Sequence, residues 1–206
     1  MLDFEIITVG RLGCNCVILW DLESKAGAVV DPGDEAEKIS KLVEQLGVVV
    51  KAILLTHAHF DHVGGAAELQ TLWGCPLYLH KDDIPLLEQL DEQTDHFRYP
   101  RVPKPDVTPL GGELPLNLKT LHTPGHSPGS SAFLLDSVKG SVAIVGDTLF
   151  CRGVGRTDLF GGSWDALENS IRTKLYTLDA DTLVIPGHGP NTTIGSERSN
   201  NSFVRG

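Results

Sequence analysis

Four metal-capable side chains fall within six consecutive positions in the segment His57-Ala58-His59-Phe60-Asp61-His62. In an extended backbone, residues two apart point to the same side. His57 and His59 therefore converge on one ion, while Asp61 and His62, where the chain turns, face a second. Zinc-binding helices of the His-Glu-x-x-His type use another spacing, so this pattern describes a site at a strand end. Imidazole and carboxylate suit zinc, iron and manganese, and no thiolate belongs to the cluster. A polar loop with incidental histidines is the alternative. The apolar run Val48 to Leu55 before the segment and Gly64-Gly65 after it favour a metal cluster instead.

Three further candidates each follow an apolar run that stops at a glycine. His126 lies in Thr123-Pro124-Gly125-His126-Ser127-Pro128-Gly129, Asp147 follows Val142-Ala143-Ile144-Val145-Gly146, and His188 follows Leu183-Val184-Ile185-Pro186-Gly187. Taken singly, each reads equally well as a turn or capping residue. Together they supply the donors that the first cluster lacks, on the strand ends that a rigid scaffold would offer to a cleft.

The elements needed to position these residues are legible from patterning. Phe4 to Val9, Cys16 to Trp20 and Ala26 to Val30 read as strands of a meander. Asp31-Pro32-Gly33-Asp34 breaks the third, and Asp34 is expected to cap a helix from about Glu35 to Leu46, with Ile39, Leu42, Val43 and Leu46 on its apolar face. Val48 to Leu55 is the near-continuous apolar run expected of a strand buried on both sides. A helix follows Gly64-Gly65, and the acidic, proline-punctuated stretch from Lys81 to Pro109 reads as a helix and a mobile loop near the cleft. Strands are then expected at Leu116 to Leu121, Ser131 to Leu135 and Val142 to Val145. A Gly-rich loop, a helix from about Trp164 to Leu178, a strand at Leu183 to Ile185 and a short tail complete the chain. Strands in two blocks, each followed by helices, favour two sheets packed face to face with helices on both outer surfaces. The reading is of one α+β domain over residues 1–206.

Composition narrows the function classes. The chain has 206 residues, a hydrophobic fraction of 41% and a charged fraction of 21%, ordinary for a globular domain. Its formal net charge of -10, with no basic stripe, disfavours binding to nucleic acid or to an anionic membrane surface. A small anionic substrate stays admissible, because metals and one or two local cations can dominate a cleft. The acidic start Met1-Leu2-Asp3-Phe4-Glu5 does not resemble a signal peptide, and no apolar stretch suits a bilayer span. Cys14, Cys16, Cys75 and Cys151 are too sparse for a disulfide scaffold and are expected to be reduced thiols of a cytoplasmic protein, which makes the sequons at Asn191 and Asn200 chance matches. His80 and His96 read as solvated, and His122 as either a core histidine or a hydrogen-bonding support for the His126 loop. No role is assigned to Cys151.

The string Thr-His-x-His-x-Asp-His, followed in order by a lone His, a lone Asp and a final His, resembles the metallo-β-lactamase superfamily from about Cys16 onward. That resemblance implies a four-layer αββα sandwich with its site at one edge of the paired sheets. It implies that His57, His59 and His126 hold a first divalent ion, that Asp61, His62 and His188 hold a second, and that Asp147 bridges them, with Asp61 and Asp147 as the catalytic carboxylates. Zinc is the expected metal, with iron or manganese as alternatives. Gly146-Asp147-Thr148-Leu149-Phe150 and Gly153-Val154-Gly155-Arg156 further resemble the glyoxalase II (hydroxyacylglutathione hydrolase) group, which cleaves thioesters such as S-lactoylglutathione. Arg156 falls where that group places a substrate-binding cation. Asp158 stands where the group often has an aromatic, and Gly187-His188-Gly189-Pro190 replaces a His-Glu-Tyr stretch. The chain reaches Gly206 without the C-terminal helical extension that supplies basic glutathione contacts. The ending Thr192-Thr193-Ile194-Gly195-Ser196-Glu197-Arg198 is similar to the short bacterial members of the group.

The implied mechanism is attack on a small-molecule thioester by a hydroxide shared between two cations, which lower the pKa of bound water to about 7. Asp147 stands where true β-lactamases commonly carry a cysteine, which argues against antibiotic hydrolysis. Gly155-Arg156-Thr157-Asp158 also resembles the persulfide dioxygenases of the superfamily, which would use one iron on His57, His126 and Asp147. Lactonases and RNA-processing nucleases share the first cluster; the acidic charge weighs against a nuclease.

Overall fold

A computed structural model describes residues 1–206. Strands β1 (Leu2–Val9), β2 (Cys14–Asp21) and β3 (Ala26–Val30) form an antiparallel meander. Helix α1 (Ala36–Leu46) then crosses over to β4 (Val49–Leu54), which lies parallel to β3. A helical turn α2 (Phe60–Val63) and helix α3 (Ala66–Trp73) lead to β5 (Leu77–Leu79), parallel to β4. Two short helices, α4 (Ile84–Leu87) and α5 (Leu90–Phe97), precede the edge strand β6 (Thr108–Pro109).

The second block repeats the arrangement. Strands β7 (Lys119–His122), β8 (Ser131–Ser137) and β9 (Gly140–Gly146) are antiparallel neighbours, and the small hairpin of β10 (Leu149–Phe150) and β11 (Gly153–Val154) follows. Helix α6 (Trp164–Ser170) runs on through a wider turn to Leu175 and returns the chain to β12 (Leu183–Pro186), parallel to β9. Strand β13 (Thr192–Thr193) and helix α7 (Ile194–Asn200) close the chain. The blocks join through one pair, Leu2 against Ser137, where the sheet folds over on itself.

Strand alternation explains the layers. Val17 and Leu19 of β2 and Phe133 and Leu135 of β8 point into a shared inner cluster with Val142, Ile144 and Ile185. Their neighbours Cys16, Ile18 and Trp20 face outward, onto Ile39 and Val43 of α1 and Leu69 of α3. On the far side, Ala143, Val145 and Val184 meet Leu167, Ile171, Leu175 and Ile194. Three apolar clusters thus fill the three gaps between four layers, the αββα sandwich, as the period of two requires. From Ala52 onward strand β4 is buried on both faces, with Leu54 in the inner cluster and Ile53 in an outer one, while Val49 and Lys51 at its start are exposed. No helix is long and apolar enough to cross a membrane.

Two expectations are corrected. Asp34 does not cap α1: its N-cap is Glu35, at φ 50°, with no side-chain cap. The Asp34 carboxylate instead accepts from the Tyr99 hydroxyl at 2.5 Å and from Glu35 N at 2.7 Å, so a tertiary contact wins over the local one. The strand expected from Leu116 begins at Lys119, because Leu116 and Asn117 turn through positive φ (63° and 55°), a conformation incompatible with a ladder.

Candidate metal centre

The loop after β4 explains how one short motif serves two directions. His57 through His59 is extended, with His59 at φ -74° and ψ 144°, and the helical turn α2 begins at Phe60. The period changes from two to 3.6 in mid-motif. His57 and His59 share a side, while Asp61 and His62 swing away along the turn. Asp147 and His188 leave β9 and β12 beside each other because these strands are parallel and paired from Leu183↔Val142 to Pro186↔Gly146. His126 comes from the loop between β7 and β8. All seven side chains meet at one end of the paired sheets.

Their ligand atoms form two groups. Those of His57, His59 and His126 lie within 4.8 Å of one another, and so do those of Asp61, His62 and His188. His59 Nδ1 is 2.8 Å from His126 Nε2, and His62 Nε2 is 3.2 Å from His188 Nε2. Two nitrogens on one tetrahedral ion stand about 3.3 Å apart for bonds of about 2.0 Å, so these spacings are those of ligands sharing a cation. Asp147 reaches both groups, with Oδ1 at 3.4 Å from His62 Nε2 and Oδ2 at 3.6 Å from His126 Nε2 and 3.8 Å from His188 Nε2. Asp61 Oδ2 lies 3.2 Å from His188 Nε2.

The protein fixes which nitrogen of each ring faces inward. His126 Nδ1 donates to the Arg156 carbonyl at 2.8 Å and His188 Nδ1 to that of Leu12 at 3.0 Å; a carbonyl only accepts, so Nε2 carries the lone pair in both. His62 Nδ1 donates to Asp31 Oδ2 at 3.0 Å, so Nε2 is the nitrogen turned to the cluster and the one that gives up its proton to a cation. Thr56 Oγ1 gives its single proton to Asp31 at 2.6 Å, so at 3.0 Å it accepts from His57 Nδ1 and leaves His57 Nε2 free. His57 Nε2 and Asp147 Oδ1 are buried without a hydrogen-bond partner. An orphaned buried donor or acceptor is costly, and here both face the cluster, as ligands awaiting a cation would. The residues present fit a metal centre.

Electrostatics agree with that use. Burial, reinforced by the neighbouring imidazoles, holds His57 well below the usual histidine range and His59 down to about 3, so both keep their lone pairs. Burial opposes ionisation of Asp147, yet the His62, His126 and His188 imidazoles outweigh it and keep the carboxyl below its usual range. Burial likewise opposes a charged His62, but Asp147, Asp31 and Asp61 push its pKa well above normal. His188 is raised as well: burial is outweighed by Asp61 and Asp147.

Support for the cluster includes residues that the sequence did not reveal. Buried Asp31 accepts from Thr56 N at 2.7 Å as well as from Thr56 Oγ1 and His62, so its oxygens are saturated and it braces the motif. Buried Asp83 accepts from Ala58 N (2.9 Å), Ser127 Oγ (2.8 Å) and Gly129 N (2.5 Å), tying the first motif to the His126 loop. Gln93 of α5 joins the same loop, accepting from Phe60 N at 3.0 Å and donating to Ala58 O at 3.2 Å. Asp31 sits where β3 is broken, a usable signal; Asp83 and Gln93 had none. Gly187 has a steric role, since a Cβ there would stand 2.1 Å from Asp147 Oδ1 and 2.6 Å from His62 Cε1.

Of the remaining histidines, His96 is exposed as expected, but His80 is not solvated. Its side chain is only 17% exposed and its ring stacks on His122 at 4.0 Å. His122 Nε2 donates to the Pro128 carbonyl at 2.8 Å, the supporting role toward the His126 loop. The four cysteines are free, with Cys14, Cys16 and Cys75 buried and Cys151 exposed.

A cleft of about 530 Å³ opens from His59, between α5 and the loop at Arg156 to Phe160. Arg156 lines it, but its guanidinium is doubly paired with Asp158, at 2.7 and 2.8 Å.

Comparison with known proteins matches residues 9–188 to the Metallo-beta-lactamase superfamily. The chain is 40% identical to hydroxyacylglutathione hydrolase GloC of Haemophilus influenzae over 98% of each protein. Among solved structures, it resembles TTHA1623 in a di-iron-bound form, with 41% identity, a TM-score of 0.88, and coverage of 97% of this chain and 100% of that one. It also resembles BLEG-1, described as a B3 metallo-beta-lactamase, with 35% identity, a TM-score of 0.90, and coverage of 99% and 100%.

Proposed function

We propose that this chain, which belongs to the metallo-beta-lactamase superfamily of metal-dependent hydrolases, cleaves a small-molecule thioester of the S-lactoylglutathione type at a two-metal centre. The observation that carries the reading is the meeting of seven donor side chains in two groups that share Asp147. His57, His59 and His126 would hold one cation and Asp61, His62 and His188 the other. The chemistry that bound cations supply is activation of water near neutral pH and polarisation of a carbonyl. Zinc suits this set of donors, and iron suits it equally; the likeness to a di-iron protein gives iron particular support.

The chain's own groups would do the rest. Asp147 and Asp61, ionised and nearly buried, orient the attacking water by accepting its hydrogen bonds. Their lowered pKa values keep them in the accepting form, for Asp61 because His62 and His188 outweigh burial. Arg156 O and Asp31 hold the His126 and His62 rings in register. The thiol arm would lie in the cleft beyond His59, with Arg156 as a contact. In the balanced reaction, the carbonyl carbon gains a bond to the water oxygen, the C–S bond breaks, and a carboxylic acid and a thiol leave. The likeness to a hydroxyacylglutathione hydrolase supports this choice of ester.

A mononuclear iron dioxygenase needs only His57, His126 and Asp147. The convergence of Asp61, His62 and His188 at 3.2 to 3.9 Å supports a second cation, and metal content with oxygen uptake separates the two readings. The likeness to a protein described as a B3 metallo-beta-lactamase removes the force of the sequence argument against lactams, so a β-lactam belongs in the assay. The test is turnover of S-lactoylglutathione, glutathione persulfide, a lactone and a β-lactam by purified protein of measured metal content. Thiol release from the thioester without oxygen uptake is the expected result. Oxygen uptake on the persulfide, with no thioester cleavage, would overturn the reading.

A further inference from the structure

The wall of the cleft bears on which thiol arm the enzyme accepts. Its one guanidinium, Arg156, is held by Asp158 through two parallel hydrogen bonds. Such a bidentate pair is the strongest form of this contact, and it cancels the charge that an anionic ligand would seek. Arg156 is pushed above its ordinary range, with the Asp158 hydrogen bond the main cause, while Arg156 holds Asp158 down to about 2. Glu92 of α5 also lines the cleft, which leaves it one formal negative charge in excess among Arg156, Asp158 and Glu92. Apart from exposed His96, the rest of the wall is apolar or amide-bearing: Phe97 and Phe160, 41% and 57% exposed, with half-buried Gln89 and Gln93.

Such a wall offers stacking area and amide hydrogen bonds to a ligand, and no unpaired guanidinium or ammonium group. Glutathione carries two carboxylates and one ammonium group. At Arg156 it would compete with Asp158 for a charge that is already balanced, and it would meet Glu92 in the same cleft. A neutral arm of amides and methylenes, of the pantetheine kind, meets neither obstacle.

We infer that Asp158 is a specificity-determining residue: by occupying Arg156 it biases the cleft toward thioesters whose thiol arm is uncharged, and against the glutathione anion. This rests on the cleft being the seat of the thiol arm in the proposed hydrolase. The opposite role is physically distinct. If Asp158 served to aim Arg156 at a substrate carboxylate, removing its charge would weaken binding of the anion.

The experiment measures binding, so that it does not depend on turnover. The metal-loaded protein is titrated calorimetrically with S-methylglutathione and with S-methyl-N-acetylcysteamine, its neutral counterpart, for the native chain, Asp158→Asn, Arg156→Ala and the double variant. Asp158 is 69% exposed, so the isosteric change leaves the fold intact. The expected result is that the ratio of Kd values, anionic over neutral, falls about fivefold in Asp158→Asn, the scale of one exposed ion pair. The gain disappears when Arg156→Ala is added, and it shrinks with added salt. A ratio that stays constant or rises in Asp158→Asn overturns the inference, as does a gain that survives loss of Arg156. If the ratio falls as expected while neither S-lactoylglutathione nor S-lactoyl-N-acetylcysteamine is hydrolysed, the hydrolase reading fails and the assignment of Asp158 stands.

Discussion

Asp147 and Asp158 stand eleven positions apart in the chain, and their surroundings are opposite. Asp147 lies in the donor cluster beneath the cleft, its floor, beside the imidazoles of His62, His126 and His188, with one oxygen buried and without a hydrogen-bond partner. Asp158 lies on the wall, 69% exposed, with both oxygens taken by one guanidinium. A folded chain tolerates a buried orphan acceptor only where something outside the chain completes it or where function requires it. A saturated surface pair asks for nothing further. The floor is therefore built to receive charge and the wall to hide it, and the first decides whether chemistry occurs while the second tunes what enters.

The contrast can be broken from either side. The largest effect is expected from Asp147→Ala, which removes the residue common to both donor groups. Bound metal should fall well below that of the native protein. Turnover should drop about a thousandfold or more, the scale of losing roughly 4 kcal/mol from the barrier; retained metal and rate would show that the floor needs no bridge. Next is pH. His62 and His188, raised above the ordinary range in the metal-free protein, must shed protons when a cation binds. Affinity should therefore rise with pH while these rings are protonated, by about tenfold per unit for each proton released. Metal titrations at pH 6 and pH 8 check the sign, and tighter binding at the lower pH would refute it. Asp31→Asn comes third. It keeps the shape but denies His62 and Thr56 Oγ1 an acceptor, and metal affinity should fall about 10- to 100-fold, as for other supports of metal-bound histidines. An equal loss for a substitution on the wall, where Asp158→Asn should act on ligand choice alone, would erase the distinction.

The legible and illegible parts of this molecule divide along the same physical line. His57, His59, Asp61 and His62 are readable because they are local: strand period before Phe60 and a helical turn after it set their directions within six residues. His126, Asp147 and His188 carry a weaker signal, a strand ending at glycine. Only the parallel pairing of β9 with β12 and the fold-over at Leu2 and Ser137 bring them to the motif. The four layers were foreseeable from two blocks of strands, each followed by helices; in the folded chain β2, β8 and β9 divide their residues between inner and outer clusters. Asp83 was not foreseeable: it stands among other acids in a polar stretch, and its three donors come from residues 25 to 46 positions away. His80 misled for a similar reason, since its partner His122 is distant in sequence. Arg156 lines the cleft, and its engagement by Asp158 depends on loop geometry that spacing does not encode.

Metal stoichiometry is the most direct probe of the floor. Metal-stripped protein titrated with zinc or ferrous iron, with bound ions counted per chain, should take up two ions in the native form and one in His188→Ala. One ion in the native protein, or two in His188→Ala, would contradict the two-site arrangement on which the account stands.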